Sequence, residues 1–90
     1  MYVRFYEECV HVAQSIGALM NAEQTDSFIC AVSSEHRYIF GMWIRNHLLP
    51  HNTYLSEALA VLGVATDEEK SLFLIEFAQQ YWRLRRAELL

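Results

Sequence analysis

Nine consecutive residues, Tyr38-Ile39-Phe40-Gly41-Met42-Trp43-Ile44-Arg45-Asn46, set aromatic and branched apolar side chains around an Arg-Asn pair. On a helix this stretch leaves no clean polar face, so it predicts an element in the middle of a core or at an interface. Elsewhere apolar residues recur at three- and four-residue steps, and period-2 alternation does not appear. One proline, Pro50, and three glycines, Gly17, Gly41 and Gly63, are too little turn chemistry for a sheet. The predicted fold is all-α: a compact bundle of four to five short helices, one domain over residues 1–90, with the 38–46 helix at its centre.

The first segment carries Val3, Tyr6, Cys9, Val10, Ala13, Ile16, Gly17 and Met20 on one helical face. Asn21-Ala22-Glu23-Gln24 reads as a break. Thr25 or Asp26 then caps a short second helix through Phe28, Ile29, Ala31 and Val32. Ser34 restarts the chain as the next cap, or the second and third helices run together with a kink. The third helix extends to about Leu48, where Pro50 stops it. Asn52 or Thr53 caps a fourth helix, Tyr54 to Leu62, and Gly63 supplies the left-handed residue at its end. Thr66 and Glu69 predict a capping box on the last helix. Asp67, Glu68 and Glu69 suit its positive end, and Arg83, Arg85 and Arg86 its negative end. At about 100° per residue, Phe73, Leu74, Ile75, Phe77, Ala78, Tyr81, Trp82 and Leu84 cover roughly 200° of its circumference. That predicts packing on two sides, one of them against another protomer or a partner.

Composition narrows the function. Hydrophobic residues make up 53% of the chain, above the roughly 45–50% of an ordinary domain, which argues against disorder. Two Trp, five Tyr and five Phe in 90 residues exceed what so small a core can hide, which favours self-association or a partner site. The net charge is −4, which argues against nucleic acid as the partner and for a basic protein surface. No apolar run approaches membrane-spanning length, and the N-terminus lacks a secretory pattern. Two cysteines, Cys9 and Cys30, make no disulfide framework. The expected location is the cytoplasm, with reduced thiols.

Several residues are candidate sites. In helical projection Asn46 falls between Met42 and Ile39, and Arg45 between Gly41 and Tyr38. The structural expectation makes both buried anchors, with Arg45 paired to an acid such as Glu57 or Glu69 and Asn46 tying down the loop before Pro50. The functional alternative is an interface or anion site. His47 and His51 stand four apart, but Pro50 lies between them, so a solvated pair is expected rather than a metal site. Cys9 is expected to act as a small buried hydrophobe rather than a nucleophile. There is no phosphate loop, nucleophile elbow or zinc spacing. The interaction candidates are Trp43, Arg45, Asn46, Tyr81, Trp82, Arg83, Arg85 and Arg86; no catalytic, cofactor-binding or metal residue is assigned, and no cofactor is expected.

Gly41-Met42-Trp43-Ile44-Arg45-Asn46, followed by Leu55, Leu62-Gly63-Val64, Asp67 and Ser71, resembles a small bacterial protein family of unknown function with a G-M-W-I-R-N-type signature. The resemblance spans roughly residues 36–77. The chain departs from that pattern at Tyr38-Ile39, where a Phe-Gly pair is expected, and in the segment after Asn46. The resemblance implies a helical fold and a central Trp43–Asn46 block, and it implies no activity.

The functional expectation is a non-enzymatic protein-interaction module that self-associates as a homodimer, in its narrower form a small phage- or plasmid-type inhibitor of a host complex. The alternative is a small nucleic-acid-binding regulator using Arg83, Arg85 and Arg86.

Overall fold

The computed structural model describes residues 2–88. Among them are five α-helices and no strand, as the all-α reading expects: α1 (Tyr2–Ala18), α2 (Ala22–Cys30), α3 (Ser34–Trp43), α4 (Thr53–Val61) and α5 (Asp67–Glu88). A π-helical turn (Ile44–Leu48) and a 3-10 turn (Leu49–His51) join α3 to α4.

Side-chain capping sets the boundaries, in two places against expectation. The expected break at Asn21–Gln24 is a helix start. Asn21 Oδ1 accepts from the Gln24 amide at 2.8 Å, and Gln24 Oε1 accepts from the Asn21 amide at 2.9 Å, a reciprocal capping box. Thr25 and Asp26 therefore lie inside α2. The third helix is capped by Ser33 rather than Ser34. Ser33 Oγ accepts from the His36 amide, and His36 Nδ1 accepts from the Ser33 amide, both at 3.1 Å. An imidazole here takes the place of the usual Glu or Gln. The two helices do not run together, because Ala31 is extended (φ −160°, ψ 136°).

Asn52 caps α4, its Oδ1 accepting from the Leu55 amide at 3.1 Å. At the other end Gly63 has φ 95°. The Val64 amide reaches the Leu59 carbonyl at 2.9 Å and the Gly63 amide the Ala60 carbonyl at 3.0 Å, the paired bonds of a Schellman end. Thr66 caps α5: its Oγ1 accepts from the Glu69 amide at 3.1 Å and donates to Glu69 Oε1 at 2.9 Å. The Glu69 carboxylate thus bonds to the cap's hydroxyl.

The centre of the bundle is α5, not the helix of residues 38–46. It packs against α1, α2, α3 and the π-turn. Its wide apolar surface is covered on both flanks by its own chain. Pairings such as Phe5–Phe73, Tyr6–Phe77 and Ala13–Trp82 show that α1 lies parallel to α5. On the other flank, Asp26–Arg86 and Ile29–Arg83 set α2 antiparallel. The core is one cluster, with Ile16 from α1, Phe28 from α2, Ile44 from the π-turn, Leu55 and Leu59 from α4, and Leu74 and Ile75 from α5. Phe28 meets Phe40 edge-on at 5.8 Å and His36 at 5.3 Å, so the α3 cap residue also closes the core over α2.

Candidate interaction surfaces

α3 turns its apolar residues both ways. Phe40 and Gly41 are buried, and Trp43 packs half-buried against the core. The arc that holds Asn46 in helical projection is the opposite one. Tyr38, Ile39 and Met42, spaced to share one helical face, are 66%, 50% and 42% exposed. Asn46 is exposed with them, so it is not a buried anchor. The apolar residues of its projected arc, Ile39 and Met42, face solvent as well. Next to this stripe is a groove of about 280 Å³ between α2, α3 and the end of α1, lined by Leu19, Met20, His36, Ile39 and Phe40 among others.

Arg45 is half-buried and folds back over Gly41, where a Cβ would sit 2.9 Å from its Nη1. That nitrogen donates to Ser71 Oγ at 3.1 Å, and the hydroxyl in turn donates to the Glu68 carbonyl at 2.8 Å. The expected pairing with Glu57 or Glu69 does not form. The π-turn accounts for this: the Leu49 amide bonds to the Ile44 carbonyl, five residues back, and the wider turn changes the directions of residues 44–48 relative to α3.

The two aromatic candidates on α5, Tyr81 and Trp82, are both tied to α1. Trp82 Nε1 donates to the Ala13 carbonyl at 2.8 Å. Its indole lies over Gly17, where a Cβ would fall 2.2 Å from a ring carbon. Tyr81 meets Trp82 edge-on at 5.1 Å, and its hydroxyl accepts from Gln14 Nε2 at 3.3 Å. The three C-terminal arginines do not act as one patch. Arg83 Nη2 donates to the Ile29 carbonyl at 2.7 Å, beside the carbonyls of Phe28 and Ile29 that Gln79 also reaches. These bonds satisfy carbonyls at the negative end of α2. Arg86 pairs with Asp26, and Arg85 stands 5.8 Å over the Tyr81 ring.

Sequence reasoning missed Lys70. It is only 7% exposed, and its Nζ donates to Ser56 Oγ at 2.9 Å, fixing α4 to the first turn of α5. The signal was present, since Lys70 stands four residues before buried Leu74 on one helical face. Asn52 caps α4 through its Oδ1 as expected, but the bond that its Nδ2 donates to Glu8 Oε2 at 3.0 Å was not foreseen.

Cys9 is fully buried and Cys30 exposed. Burial, with a smaller contribution from the neighbouring Glu8 charge, pushes the Cys9 thiol up to about 11, so it stays protonated at neutral pH. His47 and His51 are exposed. Among the described residues no group of three or more His, Cys, Asp or Glu side chains is placed to hold a metal ion. No described helix is long and apolar enough to cross a membrane. Comparison with protein-family models, curated proteins and solved structures finds no match to this chain.

Proposed function

We propose that this chain is a non-enzymatic protein-interaction module that self-associates and presents the solvent side of α3 to a protein partner. The observation that carries the reading is the exposed Tyr38–Ile39–Met42 stripe beside its groove. A helix with apolar residues on both faces covers only one of them within this bundle, and contiguous apolar surface of this kind marks interaction sites. Groove-lining residues and an exposed aromatic suit the helix-in-groove mode of recognition. The net charge of −4 favours a partner with a basic surface. An inhibitor that occupies a basic surface of a host complex, as a phage or plasmid would encode, is the narrower form of this reading.

The nucleic-acid alternative has less support. Arg83 and Arg86 are engaged with α2 and Arg85 stacks on Tyr81, so they do not offer the shared basic face that phosphate binding uses.

The test compares immobilised wild type with Ile39→Glu and Met42→Glu. Proteins captured from bacterial lysate are identified, purified and titrated. The expected result is a partner whose affinity falls at least about tenfold with either variant, at unchanged melting temperature. A wild type that captures nothing, or a partner that binds both variants as tightly as wild type, would sink the reading.

A further inference from the structure

The capping box of α3 closes only while His36 is neutral. His36 Nδ1 accepts from the Ser33 amide at 3.1 Å. A ring nitrogen that accepts an N–H bond carries no proton itself, so Nε2 holds the one proton of the neutral ring. The ring is half-buried. It stacks on Phe40, with the planes 8° and the centroids 5.9 Å apart, and meets Phe28 edge-on at 5.3 Å. It also lines the groove of about 280 Å³ beside the exposed stripe of α3. One imidazole thus joins the start of α3, the contact of α3 with α2, and the wall of the groove.

We propose that His36 is a pH-sensitive switch on α3: neutral, it closes the cap and fixes the groove wall; protonated, it releases the Ser33 amide and loosens the start of α3 against α2. The switch is a property of the chain alone. Its consequence for binding rests on the reading of the α3 surface as a partner site.

The chemistry is one proton. Taken from solvent onto the Nδ1 lone pair, it makes the ring an imidazolium, in which both nitrogens are donors. The Ser33 N–H then points at another N–H, and the bond is lost. The new charge also lies in the first turn of α3, at the positive end of the helix dipole, where a cation is disfavoured. One contact acts the other way, since an aromatic face attracts a cation. At 5.9 Å, Phe40 stands near the outer limit of that attraction, so the lost bond and the dipole outweigh it.

Few charges surround the ring. The end of α1 lines the groove with Leu19 and Met20, and α2 with Gln24 and Ser27, none of them ionisable. On α2, Glu23 is exposed one turn before Ser27, and Asp26 is paired with Arg86 of α5. On α5, Gln79 reaches the Phe28 carbonyl, Glu76 is exposed one turn before it, and Arg83 is bound to the Ile29 carbonyl. On α3 itself, Glu35 shares the groove and Arg37 is exposed. Histidines change charge between about pH 5 and about pH 8, above the range of most carboxylates.

Heteronuclear NMR on the full chain, titrated from about pH 8 to about pH 5, tests the switch. At the alkaline end the His36 ring nitrogens should report the Nε2–H tautomer. On acidification the Ser33 amide proton should shift upfield with the same midpoint as the His36 ring. His36→Gln is the reference, because glutamine keeps an acceptor for the Ser33 amide and takes up no proton. It also leaves His11, His47 and His51 in place. Over the same interval in urea, the folding equilibrium constant of wild type should fall at least about threefold more than that of His36→Gln. A Ser33 amide that ignores the His36 titration, an Nδ1–H tautomer at high pH, or equal losses in wild type and His36→Gln overturns the switch. None of these measurements uses a partner, so a failed α3 docking surface leaves them unchanged, and their failure leaves that surface standing.

Discussion

At the residue scale, the least conspicuous side chains in the sequence are among the most constrained in the structure. Cys9 is spaced as an ordinary apolar residue of α1, yet its proton makes stability depend on alkaline pH. The unfolded chain releases it near pH 9.0, whereas burial in the fold holds it to about 11. A pKa raised on folding means that the stabilisation is complete below pH 9.0 and is lost as pH rises through 11. The loss should amount to about 2–3 kcal/mol. Urea midpoints at about pH 8 and about pH 11 check it, with Cys9→Ala as the reference that has no group titrating at this position. If wild type and Cys9→Ala lose equal stability over that interval, the buried thiol is not responsible. Lys70 is a second case: a charged residue in the first turn of a helix reads as solvent-facing, but it reaches Ser56 under α4.

At the element scale, helices α1 and α5 meet through one close approach. Gly17 leaves room for the Trp82 indole, whose N–H satisfies the Ala13 carbonyl. Gly17 reads in the sequence as one more member of an apolar face, and only the crossing of two helices gives it a reason to lack a Cβ. Gly17→Ala should cost about 1–3 kcal/mol by overpacking, although alanine is the better helix former. In a Trp82→Leu background the same change should be nearly neutral, and a double-mutant cycle in urea measures the difference. Equal costs in both backgrounds would mean that the indole does not determine the glycine. Asn46 and Arg45 teach a related lesson. A helical projection of both holds only for a straight α-helix, and the π-turn departs from one at Ile44.

At the scale of the whole molecule, α5 integrates the fold, with α1 on one flank and α2 and α3 on the other. Its two-sided apolar surface was legible, but the assignment of one side to another protomer was not correct for most of it. The chain covers both flanks, and what is left over lies at the rim, in a groove lined by Tyr6 and Leu84 and on the outer side of α3. Because one core cluster connects all five helices, unfolding should be a single cooperative transition. The two tryptophans stand at different contacts, Trp43 at the end of α3 and Trp82 against α1. Single-tryptophan variants Trp43→Phe and Trp82→Phe should each give a fluorescence midpoint that coincides with that variant's own circular-dichroism midpoint in denaturant. Separated midpoints would show that the α3 and α1 ends come apart independently.

The sequence by itself determined the class, the number of helices and most of their ends. Those depend on interactions within a few residues: apolar spacing, the Thr66–Glu69 cap, Asn52 and the left-handed Gly63. Where a local rule was missed, as at Asn21 and Ser33, the chemistry was still local, and the partners stand three residues away. The tertiary structure alone decided which helix is central, which arc of α3 faces water, and what Arg45, Arg83 and Arg86 bind. Each of those depends on contacts across more than twenty residues of chain. Periodicity tells that a face is apolar; whether that face is covered depends on which other helices the chain brings back to it.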